Sequence, residues 1–268
     1  MVLKFQRIKC VDKYLSRLYS IYEYSYGGKS MILKAVCEYN EGGCLVYAED
    51  FPGAYVRGRS FESAVEKFPR EIGSYLLWAN GEEPQDLHLE IEIVLKKEST
   101  LNICDADSDI IFPSEHEPLT KEEYTKLKIL ALRSAMDFER LYDSVPDKKA
   151  PLVPERETFY GKVPSTAEEM YLHTMNVNSY YFGEIGVDVE NGPDILSCRA
   201  KGFEKLEKRE GYLQSPVLTG SYDEEWSLRK LLRRFIWHDR IHAKAMYRRA
   251  YEVFWDDEID NVFCFDRK

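Results

Sequence analysis

The hydrophobic period of this chain changes once along its length, and that change limits what the chain folds into more than any other feature. Between Met31 and Leu95, apolar residues come in short β-prone blocks or alternate with polar ones. After Thr120 they recur at spacings of three and four over long segments. A period of 2 buries one face of a strand and a period of 3.6 buries one stripe of a helix, so strands first and helices second predict an α+β protein with two segregated parts.

Within the first part, Met31–Tyr39 and Cys44–Glu49 are apolar runs separated by Asn40-Glu41-Gly42-Gly43, a hairpin-turn signal. Phe51-Pro52-Gly53 breaks the chain before a short run at Ala54–Arg57. Ser60 opens a helical pattern through Phe61, Ala64, Val65, Phe68, Ile72, Tyr75 and Leu76 as far as Asn80-Gly81, with Pro69 expected to kink or shift it. Leu87, Leu89, Ile91, Ile93 and Leu95 then alternate as a half-buried strand. The order is β-β-β-α-β. Over Met31 to Lys97 this stretch resembles the HicB-like family, on the Gly-Gly hairpin, on Phe51-Pro52-Gly53-Ala54-Tyr55-Val56-Arg57-Gly58 and on the amphipathic helix that follows. Antitoxins of that family add a DNA-binding tail and none is seen here, so the resemblance implies a binding or packing module.

Charge bears on partners. Residues 31–119 carry 7 basic and 18 acidic side chains in a chain of net charge −10, an excess that repels a phosphate backbone and argues against nucleic-acid binding. Residues 1–30 carry 6 basic and 2 acidic side chains and read as a helical extension, weakly periodic around Val11–Tyr22. Their tyrosines Tyr19, Tyr22, Tyr24 and Tyr26 are expected to pack between domains. No apolar run approaches the roughly 20 residues of a membrane span, and no signal-peptide pattern opens the chain, so the expectation is a cytoplasmic protein with no membrane partner. The cysteines at 10, 37, 44, 104, 198 and 264 form no CxxC pair and read as scattered reduced thiols.

Residues 98–119, with Asp105, Asp107, Asp109, Pro113 and Pro118, show little periodicity and are expected to link the two parts. Four helices should follow in 120–268. Thr120 caps the first, with Glu123 in capping-box position, through about Val145. Ser165 is expected to cap the second, to about Gly186; Pro193 starts a third ending near Leu213; Asp223 starts a fourth reaching about Trp255. Four helices joined by moderate loops predict a bundle.

His238 and His242 stand four residues apart on the fourth helix, one turn or roughly 6 Å along one face. At about 100° per residue they share a sector with Leu231, Phe235, Ala245 and Met246, the buried stripe. His173 lies on the apolar face of the second helix between Met170 and Val177. Buried imidazoles need partners, and one divalent ion satisfies three together; hydrogen-bonded core histidines are the alternative. Three protein ligands suit a catalytic rather than a closed structural site.

Residues 120–268 resemble the DinB/YfiT-like family of four-helix metalloproteins, in which one His of the second helix joins an H-x3-H pair on the last. Here those are His173, in Glu168-Glu169-Met170-Tyr171-Leu172-His173, and the pair in Trp237-His238-Asp239-Arg240-Ile241-His242. The resemblance implies one divalent transition-metal ion, nickel or zinc, and an activity in which a low-molecular-weight thiol or water attacks a small molecule. No catalytic residue is identified.

Other residues carry weaker expectations. Asn176 and Tyr180 are read as bundle interior rather than substrate-orienting groups, Asp137 as sharing a face with Leu130, Ser134 and Leu141, with contact to a ligand histidine as the lesser alternative, and Cys198 as a helix-surface thiol. Arg229, Arg233, Arg240, Lys244 and Arg248 form a sector apart from the histidines, read as a solvated face; His88 and His116 are read as structural. Two functions stay open. One is a metal-dependent enzyme, thiol transferase-like or hydrolase-like, acting on a small molecule. The other is a non-enzymatic metal or ligand sensor whose HicB-like part binds a protein partner; a homodimer is also left open.

Overall fold

The computed structural model describes residues 31–82, 84, 87–158, 161–214, 216–255 and 259–267. The expected N-terminal helical extension and its tyrosines lie outside them. A four-stranded sheet comes first and long helices follow, a mixed α+β architecture.

The sheet is built from β1 (Met31–Asn40), β2 (Gly43–Ala48), β3 (Tyr55–Gly58) and β4 (Leu89–Glu98), in the order β3-β2-β1-β4. β1 and β2 form the expected hairpin, with Asn40 opposite Gly43, and β3 adds antiparallel to β2. β4 returns parallel to β1, which requires a crossover. Two helices supply it, α1 (Phe61–Val65) and α2 (Phe68–Asn80). Ser60 caps α1 through a capping box with Ser63, and Pro69 falls in the first turn of α2, where a missing N–H costs nothing. Proline thus divides the expected helix in two rather than bending it.

Alternation in the strands feeds two cores. Leu33, Ala35, Cys37, Val46 and Ala48 face a core shared with α2 and with the helices that follow. Val36, Leu45, Tyr47 and Tyr55 face the other way, onto Ile103, Ala106, Ile110 and Phe112 and onto Trp237. Residues 98–119, expected to link, therefore cover one face of the sheet. Ser108 donates a hydrogen bond to the buried Glu38 carboxylate at 2.5 Å, fixing this strap to β1.

The helical part comprises α3 (Lys121–Ser144), α4 (Ala167–Glu184), α5 (Ile195–Glu207) and α6 (Leu228–Phe254). Two-stranded ribbons, β5 (Glu157–Thr158) with β6 (Gly161–Lys162) and β7 (Leu218–Thr219) with β8 (Glu225–Trp226), interrupt the loops. Thr120 caps α3 in a capping box with Glu123, as its sequence predicts. For the other three helices the cap lies one to four residues beyond the expected start: Thr166, Asp194 and Ser227 each accept a hydrogen bond from the backbone N–H three residues on. Ser165, the expected cap of α4, instead donates backbone and hydroxyl hydrogens to the Glu169 carboxylate at 2.8 Å. A side-chain oxygen is all a cap needs, and adjacent Ser and Thr compete for the role.

One buried guanidinium ties the four helices together. Arg199 on α5 donates to both oxygens of Asp239 on α6, at 2.9 Å from Nη2, to Asn178 of α4 at 3.1 Å, and to the Ala131 carbonyl of α3 at 2.9 Å. Both Arg199 and Asp239 are fully buried. A buried charge is tolerated only when paired and hydrogen-bonded, and a bidentate fork meets that condition.

The sector Arg229 to Arg248 of α6 is not a solvated face. Arg240 is fully buried and Arg233 is 4% exposed. Arg240 donates to Glu71 of α2 at 2.8 Å, Lys244 shares that carboxylate, and Arg233 pairs with Glu115 of the strap at 3.0 Å. Helical periodicity separates two faces of α6, but both are covered, one by helices and the other by the sheet, α2 and the strap. The Phe51-Pro52-Gly53 loop reaches the same face. Gly53 has φ +96°, its carbonyl accepts from Arg240 at 3.2 Å, and a Cβ there would come within 2.5 Å of Ile236. Only glycine permits both the conformation and the approach.

Candidate metal centre

The capped starts of α4 and α6 set the helical phase that aims their histidines at each other. On α4 the spacing Met170, His173, Val177, Tyr181 places His173 on the face turned to α6, where Met170, Val177 and Tyr181 are buried. On α6 the stripe Leu231, Phe235, His238, Met246 is buried, and His242 lies one turn beyond His238.

The three expected histidines come together. Nε2 of His173 and Nε2 of His238 are 3.1 Å apart, and ring centroids are separated by 4.9 Å (His173 to His238), 4.8 Å (His173 to His242) and 4.5 Å (His238 to His242). One ligating nitrogen from each ring falls within a 4.8 Å envelope. An ion about 2.1 Å from two nitrogens at 90–110° to each other holds them roughly 3.0–3.4 Å apart, so the measured pair fits one coordination sphere.

Burial and charge keep these rings neutral. His238 is buried, and His173 and His242 are half-buried. Burial pushes the pKa of His173 down and those of His238 and His242 well down; at His238 the other two histidines, Arg234 and Arg199 add to the effect, and at His242 His173 does. Neutral imidazoles offer lone pairs, the state a metal ligand requires. Tyr181 closes one side, its ring edge-on to His238 at 5.9 Å and 87°. His238 Nδ1 is buried and makes no hydrogen bond among the described residues.

Other residues singled out in the sequence lie outside the cluster. Asp137 does not reach a histidine; it accepts from Trp78 Nε1 at 2.7 Å and pairs with Arg133, on the side of α3 facing α2. Cys198 is fully buried rather than on a helix surface, its thiol donating to the Glu190 carbonyl at 3.3 Å, and it is not part of the histidine cluster. Its neighbour Arg199 is buried too, because polar residues beside a position say little when a buried carboxylate waits across the bundle. Asn176 is exposed, and Tyr180 packs on Trp226 with centroids 6.0 Å apart. His88 and His116 are exposed.

Sequence reasoning missed Tyr181 and the Asp239–Arg199 pair. Asp239 follows His238 directly, so the bidentate clamp on its carboxylate fixes the phase of α6 at the cluster. The partner lies forty residues away, beyond any local pattern. Comparison with protein-family models, with curated proteins and with solved structures returned no match to the chain.

Proposed function

We propose that His173, His238 and His242 hold one divalent transition-metal ion, nickel or zinc, and that the protein is a metal-dependent enzyme acting on a small molecule. The observation that carries this reading is the convergence of three neutral imidazoles from two helices, two of them half-buried. Gathering three imidazoles away from bulk water, with no carboxylate in their cluster among the described residues, is costly, and a cation offsets that cost. Three nitrogen ligands are the number found in catalytic zinc sites, against four in closed structural ones. When bound, such an ion supplies Lewis acidity, which favours the deprotonated form of a thiol or water. The likeness of residues 120–268 to the DinB/YfiT-like family favours thiol transfer to a small electrophile over hydrolysis.

Around that ion the chain's own residues have definite tasks. The three imidazoles would hold it, Tyr181 packs edge-on against His238 and would limit water on that side, and the Arg199–Asp239 clamp holds the ring-bearing turn of α6 in place. Elemental analysis of purified protein should find about one divalent ion per chain, lost in His238→Ala. Metal-loaded protein should then accelerate conjugation of a low-molecular-weight thiol to a small electrophile, and His173→Ala should remove the gain. Metal retained undiminished in His238→Ala and His242→Ala refutes the ligand assignment; a metal-loaded protein inert across a broad thiol and electrophile screen refutes the enzyme.

A second reading, a metal sensor whose HicB-like part engages a protein partner, draws on one observation. α6 carries the histidines on one face and is bonded to α2 and the strap on the other. Metal-dependent hydrogen-exchange protection within residues 31–119, in a protein without metal-dependent turnover, is the result that would select it.

A further inference from the structure

On the face of α6 turned away from the histidines, between α2, β3 and the C-terminal segment, lies a cavity of about 390 Å³. Its walls carry Arg57, Lys67, Arg70, Lys244 and Arg248 against only two carboxylates, Glu71 and Asp266. Both carboxylates are committed: Glu71 accepts from Arg240 and Lys244, and Asp266 pairs with Arg70. The other three cations find carbonyl oxygens instead. Arg57 donates to Cys104 O at 3.0 Å, Lys67 to Arg57 O, and Arg248 to Asp266 O at 2.9 Å. Among the described residues, none of these three has a carboxylate in salt-bridge distance.

That concentration runs against the composition of the chain. Residues 31–119 have 7 basic side chains against 18 acidic, yet three of the seven, Arg57, Lys67 and Arg70, stand at this one cavity. They come from β3 and the start of α2, and α6 adds two more. Like charges gathered in a concave, partly desolvated site repel one another and focus a positive potential, which an anion relieves. Guanidinium forks suit the oxygens of a phosphate, and the volume falls in the range of small-molecule sites. Tyr55 and Phe265 supply apolar wall beside the charges.

We propose that this cavity binds a small phosphate-bearing molecule, held by Arg57, Lys67 and Arg248. Lys244 is two residues from His242, about 200° around the helix, so the site is separate from the histidine cluster and does not depend on the metal reading.

The test is calorimetric titration of the full chain with inorganic pyrophosphate and with adenosine monophosphate, at constant ionic strength. Saturable binding of at least one is expected, weakened at least about tenfold in the double variant Arg57→Gln, Arg248→Gln, since each change removes a charge-assisted contact. Arg57 is exposed and Arg248 half-buried, so both variants should fold. Lys201→Gln, an exposed charge on α5, controls for net charge and should bind as the parent does. In a His238→Ala chain binding should persist; its loss there would place the anion at the histidines and overturn the proposal. Absence of saturable binding of either probe at millimolar concentration, undiminished binding in the double variant, or citrate binding in place of both phosphates would also overturn it.

Discussion

The two covered faces of α6 bury ionisable groups in opposite ways. Toward the sheet, α2 and the strap, Arg233 lies against Glu115, and Arg240 and Lys244 share Glu71, both carboxylates coming from the N-terminal half. Toward α4, His238 and His242 meet His173, no carboxylate joins the three among the described residues, and burial drives them neutral. Charges that are buried with partners hold parts of a protein together. Imidazoles held uncharged and aimed at one point form a candidate site for a cation. One helix therefore serves as a structural seam on one side and as half of a candidate metal site on the other.

Removing the carboxylate that the seam shares should have the largest effect. Glu71→Gln leaves the buried Arg240 and the half-buried Lys244 without their counter-charge and should cost about 3–5 kcal/mol in denaturant unfolding. A loss below about 1 kcal/mol, the scale of a surface pair, would show that the seam contributes little. On the other face the largest effect should come from ligand. Nickel or zinc at a hundredfold excess over Kd should stabilise the protein by roughly 2.7 kcal/mol, with a matching rise in Tm that chelation reverses and that His238→Ala abolishes. Metal-induced stabilisation persisting in His238→Ala would remove the distinction between the faces.

Acidity should separate the two faces further. Burial alone would raise the pKa of Glu71, but Lys244 and Arg240 outweigh it and hold it below its ordinary 4.5. A carboxylate with a lowered folded pKa adds stability above its unfolded pKa that is lost as pH falls through the folded value, so the seam weakens only below about 4.5. The histidines have folded pKa values below 6.5. In the metal-free protein they therefore lower stability as pH falls from about 6.5, because the unfolded chain takes up protons that the folded one refuses. Denaturation of metal-free protein followed from pH 8 to 4 should show a decline beginning near 6.5, and His238→Ala with His242→Ala should flatten it; an unchanged slope would place the decline elsewhere.

The smallest expected effect sharpens the seam itself. Arg229 begins the same cationic sector but pairs with Glu123, whose side chain is 44% exposed. Arg229→Ala should cost no more than about 1 kcal/mol, well short of Glu71→Gln. Comparable losses in the two variants would mean that burial of the partner does not govern what these pairs contribute.

Much of the architecture was legible in the chain because it rests on local physics. The apolar run of β1, the alternation in β4, the Asn40-to-Gly43 turn and the capping box at Thr120 involve residues within a few positions of one another, and each appears as its pattern implies. The histidine pair was readable for the same reason: a spacing of four on an apolar stripe fixes a common face. That His173 joins it came from its own apolar face together with a resemblance, not from any local rule. Cap positions were less certain, since neighbouring Ser, Thr and Asp residues compete for the same backbone hydrogens.

What only the tertiary structure decided is which surfaces stay wet. A run of arginines and lysines at helical spacing looks the same in sequence whether water or a carboxylate faces it. Arg240 is buried because Glu71 lies 169 residues before it, Arg233 because Glu115 lies 118 before it, and Asp239 because Arg199 lies forty before it. The aperiodic residues 98–119 were likewise unreadable as core, for Ile103, Ala106, Ile110 and Phe112 pack as a strap against a sheet face and Trp237, not as a repeating element. Periodicity sorts the residues of one segment onto faces; the charge or apolar surface that meets each face is supplied by distant segments, and the free energy of pairing a buried charge is settled only when those segments meet.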